Sequence, residues 1–333
     1  MVEKLDLKDK KILYLLLENS RLSPGEIAKH VGLSKNAVAY RIDRLVKKGI
    51  IWKFFAAVDH QKIGIYSYDV FLKLKATPEQ MEKIRGHFRK HPNIVWATTL
   101  FGKWDLFVEI LTKDLNEFEQ IFDRIVEFLG DQLEYYDSKL FVKRLKIDHQ
   151  IYDFKLGYKF KPRKPDYSRV FRLDELDKKI LSYLNEHDAL APYQKIGQSV
   201  GASLETTRNR VNRLINEGVI VRFFPFVMLT QKLGFLKYLV TIDFRYLTKE
   251  LEDEVAEYIN NMPEVHLLFK TVGKPQMYFW AIVEQPSEVE DLVKKLRNKF
   301  YQIIIDTEAM LTTEELTLNF FPKGIWSFDC KTS

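Results

Sequence analysis

Two short stretches hold side chains whose types and spacing fit the reading of a DNA duplex. In the first, Ser34, Lys35 and Asn36 lead into Tyr40, Arg44, Lys47 and Lys48. At 100° per residue, Val38, Ile42 and Leu45 fall in one narrow stripe. Asn36, Tyr40, Asp43, Arg44 and Lys47 fall opposite it, with Lys35 in the first turn. A helix that buries one side and offers Asn, Tyr, Arg and Lys on the other suits a major groove. Asn and Arg make bidentate bonds to base edges, and Lys neutralises phosphate. The second stretch offers Ser203, Thr206, Arg208, Asn209 and Arg213. These twelve residues are the candidate DNA contacts, with Asn36 and Tyr40 expected to set base specificity and Lys47 and Lys48 affinity. Arg41 and Arg210 project nearer the core boundary. Asp9 and Asp177 stand ready in a preceding helix, so both arginines are read as structural ion pairs.

Such side chains need a scaffold, and the residues before them supply one. Asp6 can cap a helix whose Leu7, Ile12, Leu13, Leu16 and Leu17 gather on one side. Ser23-Pro24-Gly25-Glu26 is a capping box with proline at the first helical position. The helix it opens is short, because Val31-Gly32-Leu33 follows within two turns, and Gly32 suits a tight turn between helices. Ser34 caps the third helix, which runs to about Lys48 and stops at Gly49. The order is that of a helix-turn-helix of the winged type.

The whole pattern occurs twice. Leu5, Asp6, Asp9, Lys10, Lys11, Ile12, Leu13 and Pro24 recur 168 positions later. After a one-residue slip, Val31, Gly32, Ser34, Arg41, Arg44, Leu45, Gly49 and Ile51 recur at Val200, Gly201, Ser203, Arg210, Arg213, Leu214, Gly218 and Ile220. A period this long, seen twice, marks a duplication and not a solenoid. The copies differ in charge. Residues 1–53 hold twelve basic and six acidic residues, whereas 172–222 hold eight and seven. Glu205 also sits in the first turn of the second helix, facing phosphate unless it reads a cytosine. The first module is therefore expected to dominate DNA affinity.

Downstream of each module the residues turn β-branched and aromatic. IIWKFFAAVD reads as a strand leaving the first module. SYDVFLKLKA, TPEQMEKIRGHFRKH, NIVWATTLFGK, WDLFVEILT, DLNEFEQIFDRIVEFLG and YYDSKLFVKRLKI then follow the order βαββαβ. That is a ferredoxin-like α/β domain, two helices covering one face of an antiparallel sheet. The other face carries Val, Ile, Phe and Trp and should be buried against another sheet. Two copies in one chain can supply that partner internally, as a pseudo-dimer, with a homodimer as the competing arrangement. The expected fold class is α+β. The divisions are a helix-turn-helix at 1–53, an α/β domain at 54–153 and a basic linker at 154–171 containing Pro162 and Pro165. A second helix-turn-helix at 172–222 and a second α/β domain at 223–328 complete the chain.

The residues LDxxDxxIL, SxxEIAxxVGLS and VxxRIxRLxxxGII together resemble the start of the Lrp/AsnC family, the feast/famine regulators. The resemblance runs from Leu5 to about Tyr152 and again from Leu173 to about Trp326. It implies a sequence-specific transcriptional regulator whose α/β domain, of the RAM type, pairs sheet to sheet. It also implies a small amino-acid-like effector. That family's glycine and acidic residue match Gly102 and Asp105 in FGKWDL, whereas Gln276 replaces the acid in the second copy. Double-stranded DNA is the expected partner, with contact to the basal transcription machinery as a further one.

Composition bounds the alternatives. The chain has 333 residues, 46 % apolar and 29 % charged, with a formal net charge of +6. That balance favours a polyanionic partner. Cys330 is the only cysteine, so neither an intrachain disulfide nor a Cys-based metal site can form. The N-terminus has no apolar signal region and the apolar runs are too short to span a bilayer, so a soluble, cytoplasmic protein without membrane contact is expected. No phosphate loop, HExxH, CxxC or GxSxG occurs, and no metal or cofactor is expected. The seven histidines (His30, His60, His87, His91, His149, His187 and His266) read as scattered surface or partly buried residues. One enzyme class stays open as the alternative. Siroheme decarboxylases resemble Lrp-like proteins and occur as two fused units, and His266 lies in about the right region. Its surroundings, PEVHLLFK, match that family's motif poorly.

Overall fold

A computed structural model describes residues 2–147 and 169–327. The first copy runs α1 (Leu7–Glu18), α2 (Pro24–Val31), α3 (Lys35–Lys47), β1 (Ile51–Val58) and β2 (Tyr66–Leu74). It continues with α4 (Pro78–Lys90), β3 (Ile94–Phe101), β4 (Leu106–Thr112), α5 (Leu115–Leu129) and β5 (Leu133–Ile147). The second copy repeats this as α6 (Glu175–Glu186), α7 (Tyr193–Val200), α8 (Leu204–Asn216), β6 (Ile220–Val227), α9 (Leu229–Leu233) and β7 (Leu236–Phe244). It ends with α10 (Lys249–Asn260), β8 (Val265–Val272), β9 (Met277–Val283), α11 (Pro286–Lys299), β10 (Ile304–Leu318) and α12 (Gly324–Ser327).

Space groups these elements differently from sequence order. Among the described residues, one compact unit holds 2–64 with 169–234, so both helix-turn-helix modules sit together. The other holds 65–147 with 235–327, so both α/β domains do. The expected divisions after residues 53 and 222 are therefore corrected to fall after Gly64 and Gly234. The reason is that β1 and β6, which the expected divisions cut through, pair antiparallel with each other. Most of the expected linker lies outside the described residues. At its end Arg169 pairs with Glu217 at 2.7 Å, and the Phe171 amide donates to the Lys62 carbonyl at 2.7 Å.

The β1–β6 ribbon shows how the copies are related. Phe55 lies opposite Phe224, and these two occupy the same place in the repeat. Around them the bonds come in exchanged pairs. The Asp59 amide donates to the Val219 carbonyl at 2.9 Å, and the Met228 amide to the Ile50 carbonyl at 2.8 Å. A pseudo-two-fold axis therefore passes between Phe55 and Phe224.

In the other unit eight strands close a barrel in the order β10-β3-β4-β2-β5-β8-β9-β7. Each α/β domain contributes a four-stranded antiparallel sheet of the expected βαββαβ order. The long strands β5 and β10 make the two closing seams, Leu140 opposite Val272 and Leu311 opposite Phe101. These seams are again equivalent under the repeat. Helices α4 and α5 cover Val70, Leu72, Val108 and Ile110, and α10 and α11 cover Val240, Ile242, Met277 and Phe279. The alternate residues point inward, where Phe71, Phe107, Tyr278 and Trp280 pack face to edge and fill the space between the sheets. The bare sheet faces expected from the sequence thus bury each other within one chain. Closure leaves no free strand edge among the described barrel strands. Among the described residues, no helix is long and apolar enough to cross a membrane.

Candidate nucleic-acid interface

The scaffold of the first module is held by its caps. Asp6 accepts from the Asp9 amide, and Ser23 and Glu26 form the full capping box of α2. Gly32 takes φ 63°, which a residue with a Cβ adopts only under strain, and turns the chain into α3. Ser34 caps α3 by accepting from the Ala37 amide at 3.2 Å. The second module repeats this with Asp174, Gly201 at φ 75° and Ser203. Its α7 starts on Pro192 without a side-chain cap. Ser34 and Ser203, both counted as candidate DNA contacts, spend their hydroxyls on these caps. The Thr206 hydroxyl, in turn, accepts from the Ser203 hydroxyl at 2.9 Å.

Below the caps a buried carboxylate locks each recognition helix. Asp9 is nearly inaccessible and holds Arg41 at 2.7 Å and Arg44 at 2.6 Å. Asp177, fully buried, holds Arg213 at 2.5 Å and Arg210 at 3.2 Å. Arg41 also reaches Asp6 at 2.7 Å, and Arg210 reaches Asp174. Burial opposes ionisation of the Asp6 carboxyl, but the Asp9 amide and Arg41 outweigh it and hold its pKa below the usual range. The same balance, with Asp177 and Arg210, lowers Asp174. The ion pairs expected of Arg41 and Arg210 are present. Arg44 and Arg213 depart from expectation, because their guanidinium groups turn inward to the same acids. Spacing alone placed them opposite the apolar stripe. The charge of Asp9 and Asp177, set on α1 and α6, draws them back.

What remains outward differs between the modules. On α3, Lys35 and Asn36 are exposed, and their side chains make no hydrogen bond or ion pair among the described residues. Tyr40 is 66 % exposed, too much for a tyrosine serving the core. Lys47 is exposed and pairs with Asp43 at 2.7 Å, while Lys48 is tied to Glu3 at 2.6 Å. Buried Val38 and Leu45 lie on the other side. On α8 the exposed residues are Leu204, Glu205, Thr206, Arg208, Asn209, Asn212, Arg213 and Asn216, with Arg213 exposed while it keeps its pair to Asp177.

The contact between modules joins them firmly. Arg21 donates to the Ala189 carbonyl at 2.9 Å and lies over the rings of Tyr193 and Phe223. Lys53 donates to the carbonyls of Asn185 and Glu186 at 2.5 and 2.9 Å. Both cations satisfy helix-end carbonyls or aromatic faces of the other copy, so two residues counted as basic surface are spent inside the unit.

Gly102 and Asp105, the candidate effector residues, sit at the β3–β4 hairpin. Gly102 has φ 148°, and a Cβ there would meet the Met310 Cγ at 2.9 Å. Asp105 is engaged on both oxygens, by the Leu74 amide at 2.8 Å and by Lys73 at 3.2 Å. Gln276 does the same work in the second copy. Its amide oxygen accepts from the Phe244 amide at 2.9 Å and its NH2 donates to the Phe244 carbonyl at 2.9 Å. The exchange of Asp for Gln is therefore conservative for the hairpin.

Two further gatherings of titratable groups were not read from the sequence. Asp69 and Glu109 face each other across β2 and β4 inside the barrel. Burial, then the neighbouring Glu109, pushes the Asp69 carboxyl well up, although Tyr278 donates to it at 2.7 Å. Burial also raises Glu109, against a bond from Ser67 at 2.7 Å. The expectation of scattered histidines is corrected at α4. His87 and His91 are one helical turn apart with ring centroids 5.4 Å from each other, a spacing visible in the sequence. Burial, then His87 and Arg124, lowers the His91 pKa to about 4. His266 is buried on β8. Among the described residues no group of three or more His, Cys, Asp or Glu could hold a metal ion.

Comparison with known proteins bears on the same regions. Residues 5–51 and 173–221 each match the winged helix-turn-helix DNA-binding domain, and residues 69–149 match the Lrp/AsnC ligand-binding domain. An uncharacterised HTH-type transcriptional regulator of Pyrococcus horikoshii is 34 % identical over 116 residues, 35 % of this chain and 73 % of that one. The HTH-type transcriptional regulator FL11 of the same organism is 32 % identical over 126 residues, 38 % and 83 % of the two chains. The crystal structure of the siroheme decarboxylase NirDL superposes with a TM-score of 0.64 at 15 % identity, covering 97 % of this chain and 98 % of that one. At that identity the likeness carries the architecture and not the reaction.

Proposed function

The chain belongs to the Lrp/AsnC family of DNA-binding helix-turn-helix transcriptional regulators, and on that premise we propose that α3 is its principal reader of a specific duplex sequence. The observation that carries this is the outward face of α3, where Lys35, Asn36 and Tyr40 stand exposed beyond a buried stripe. Asn36, in the first turn, enters the groove end-on and forms a bidentate pair with adenine. Tyr40, one turn later, contacts a thymine methyl or a phosphate. Lys47 and Lys48 pass the backbone at the far end, and both carry cations whose acidic partners lie at the surface. Arg44 and Arg213 act as positioning residues, fixing the recognition helices through Asp9 and Asp177.

The α/β barrel supplies the internal pairing. An amino-acid-like effector, as the ligand-binding-domain match suggests, would meet the backbone at Gly102, since Asp105 is committed to its own hairpin. The siroheme decarboxylase reading rests on the shared duplicated fold alone. The test of the main reading is Asn36→Ala, titrated with salt on a selected duplex and on random duplex. A loss of about 1–3 kcal/mol on the selected site and little on random DNA is expected. Equal weakening on both would make Asn36 a phosphate contact and remove its role as reader.

A further inference from the structure

The β1–β6 ribbon relates the two recognition helices by a pseudo-two-fold axis at Phe55 and Phe224. Helices so related meet the two halves of a duplex in inverted orientation, because DNA has the same local symmetry. Two identical faces would then read a palindrome. These faces are not identical. What the repeat keeps is scaffold: the caps Ser34 and Ser203, the locked arginines and the buried Leu45 and Leu214. At the outward positions Lys35 corresponds to Leu204, Asn36 to Glu205, Ala39 to Arg208 and Tyr40 to Asn209. All eight are exposed, and no pair keeps its residue type.

We propose that this chain recognises a non-palindromic composite site, two different half-sites set in inverted orientation by a symmetric scaffold. The inference rests on the DNA-binding reading above and adds what that reading leaves open. The α3 half is weighted to A·T pairs, through Asn36 on adenine and Tyr40 on the thymine methyl. The α8 half is weighted to G·C pairs. Glu205 accepts from the cytosine amino group and Arg208 pairs with the guanine O6 and N7 edge. Glu205 is the sharpest discriminator. Guanine and thymine offer its carboxylate only acceptors, and adenine sets the N7 acceptor beside its amino donor. Fusion makes this possible, since a homodimer presents one face twice and cannot separate its halves.

The test is selection of binding sites by the full chain from random duplex, followed by titration of the selected site and of two symmetrised versions. One version carries the α3 half twice and the other the α8 half twice. The expected consensus is non-palindromic, and each symmetrised duplex binds about tenfold more weakly or worse, as mismatched base pairs do. The variant Leu204→Lys, Glu205→Asn, Arg208→Ala, Asn209→Tyr places the α3 face on α8 by exposed substitutions alone. It should reverse the preference toward the doubled α3 half. A palindromic consensus, or a doubled α3 half bound as tightly as the composite, overturns the proposal while leaving DNA binding intact. If no duplex is enriched over random sequence, the DNA-binding reading itself falls, and this inference with it.

Discussion

The two helix-turn-helix modules share a skeleton and differ in the surface it carries. Asp9 and Asp177 perform the same task, each buried and each holding two arginines of the recognition helix. Outward, α3 carries Lys35, Asn36, Tyr40 and Lys47, where α8 carries Leu204, Glu205, Asn209 and Asn216. The difference teaches which constraint acts where. A buried carboxylate with two guanidinium partners is tightly constrained, because removing the acid takes from Arg44 or Arg213 its ion-pair partner. An exposed helix face answers only to what it touches.

The largest effect comes from attacking the shared skeleton. Asp9→Ala and Asp177→Ala should each cost about 2–3 kcal/mol in chemical denaturation. That is below the range for a wholly buried pair, since the arginines are partly solvated. Costs differing by more than about 1 kcal/mol would show that the two modules are not built alike.

The α/β domains extend the comparison. His91 at the end of α4 corresponds to Met262 after α10. Its pKa of about 4 in the fold lies below the ordinary value of 6.5, chiefly through burial. Below pH 6.5 the unfolded chain therefore binds a proton that the folded chain refuses. Stability is full above pH 6.5 and drains as pH falls toward 4. Between pH 7 and pH 5 the loss should be about 2 kcal/mol, with His87 adding in the same direction. His91→Met, which copies the other domain, should flatten most of that slope. If parent and variant lose the same stability on acidification, His91 is not the acid-sensitive group.

The smallest effect separates the cations. Lys47→Ala should lower the salt slope of binding by about one and weaken all sequences alike. Asn216→Ala, at the equivalent place on α8, should leave the slope unchanged. Equal shifts in both would mean that the far end of α3 does not pass the DNA backbone.

Much of the helix-turn-helix was legible because its signals are short-range. Ser23 with Glu26, Ser34 and Gly32, and in the second copy Ser203 and Gly201, act within four residues, and the structure uses them as caps and turns. The βαββαβ order followed from alternation and caps in the same way. The apolar inner faces of the sheets announced that something must cover them. Arg44 and Arg213 were harder. Helical spacing gives the direction of a Cβ, but a long arginine follows the nearest buried charge, and that charge sits more than thirty residues away on another helix. Asp105 looked available because its two bonds go to β2, an element that the hairpin sequence does not contain. The His87–His91 spacing could have been read directly, whereas the burial that lowers the His91 pKa could not.

By itself the sequence determined the duplication and the type and order of the main elements, consequences of periodicity and local backbone chemistry. The tertiary structure alone decided that β1 pairs with β6 across more than 160 residues, so that domains adjacent in the chain separate into different compact units. Strand pairing at that distance depends on how Phe55 meets Phe224 and how both modules close around them. No local propensity encodes that contact, because its stability comes from surfaces that exist only once both copies have folded.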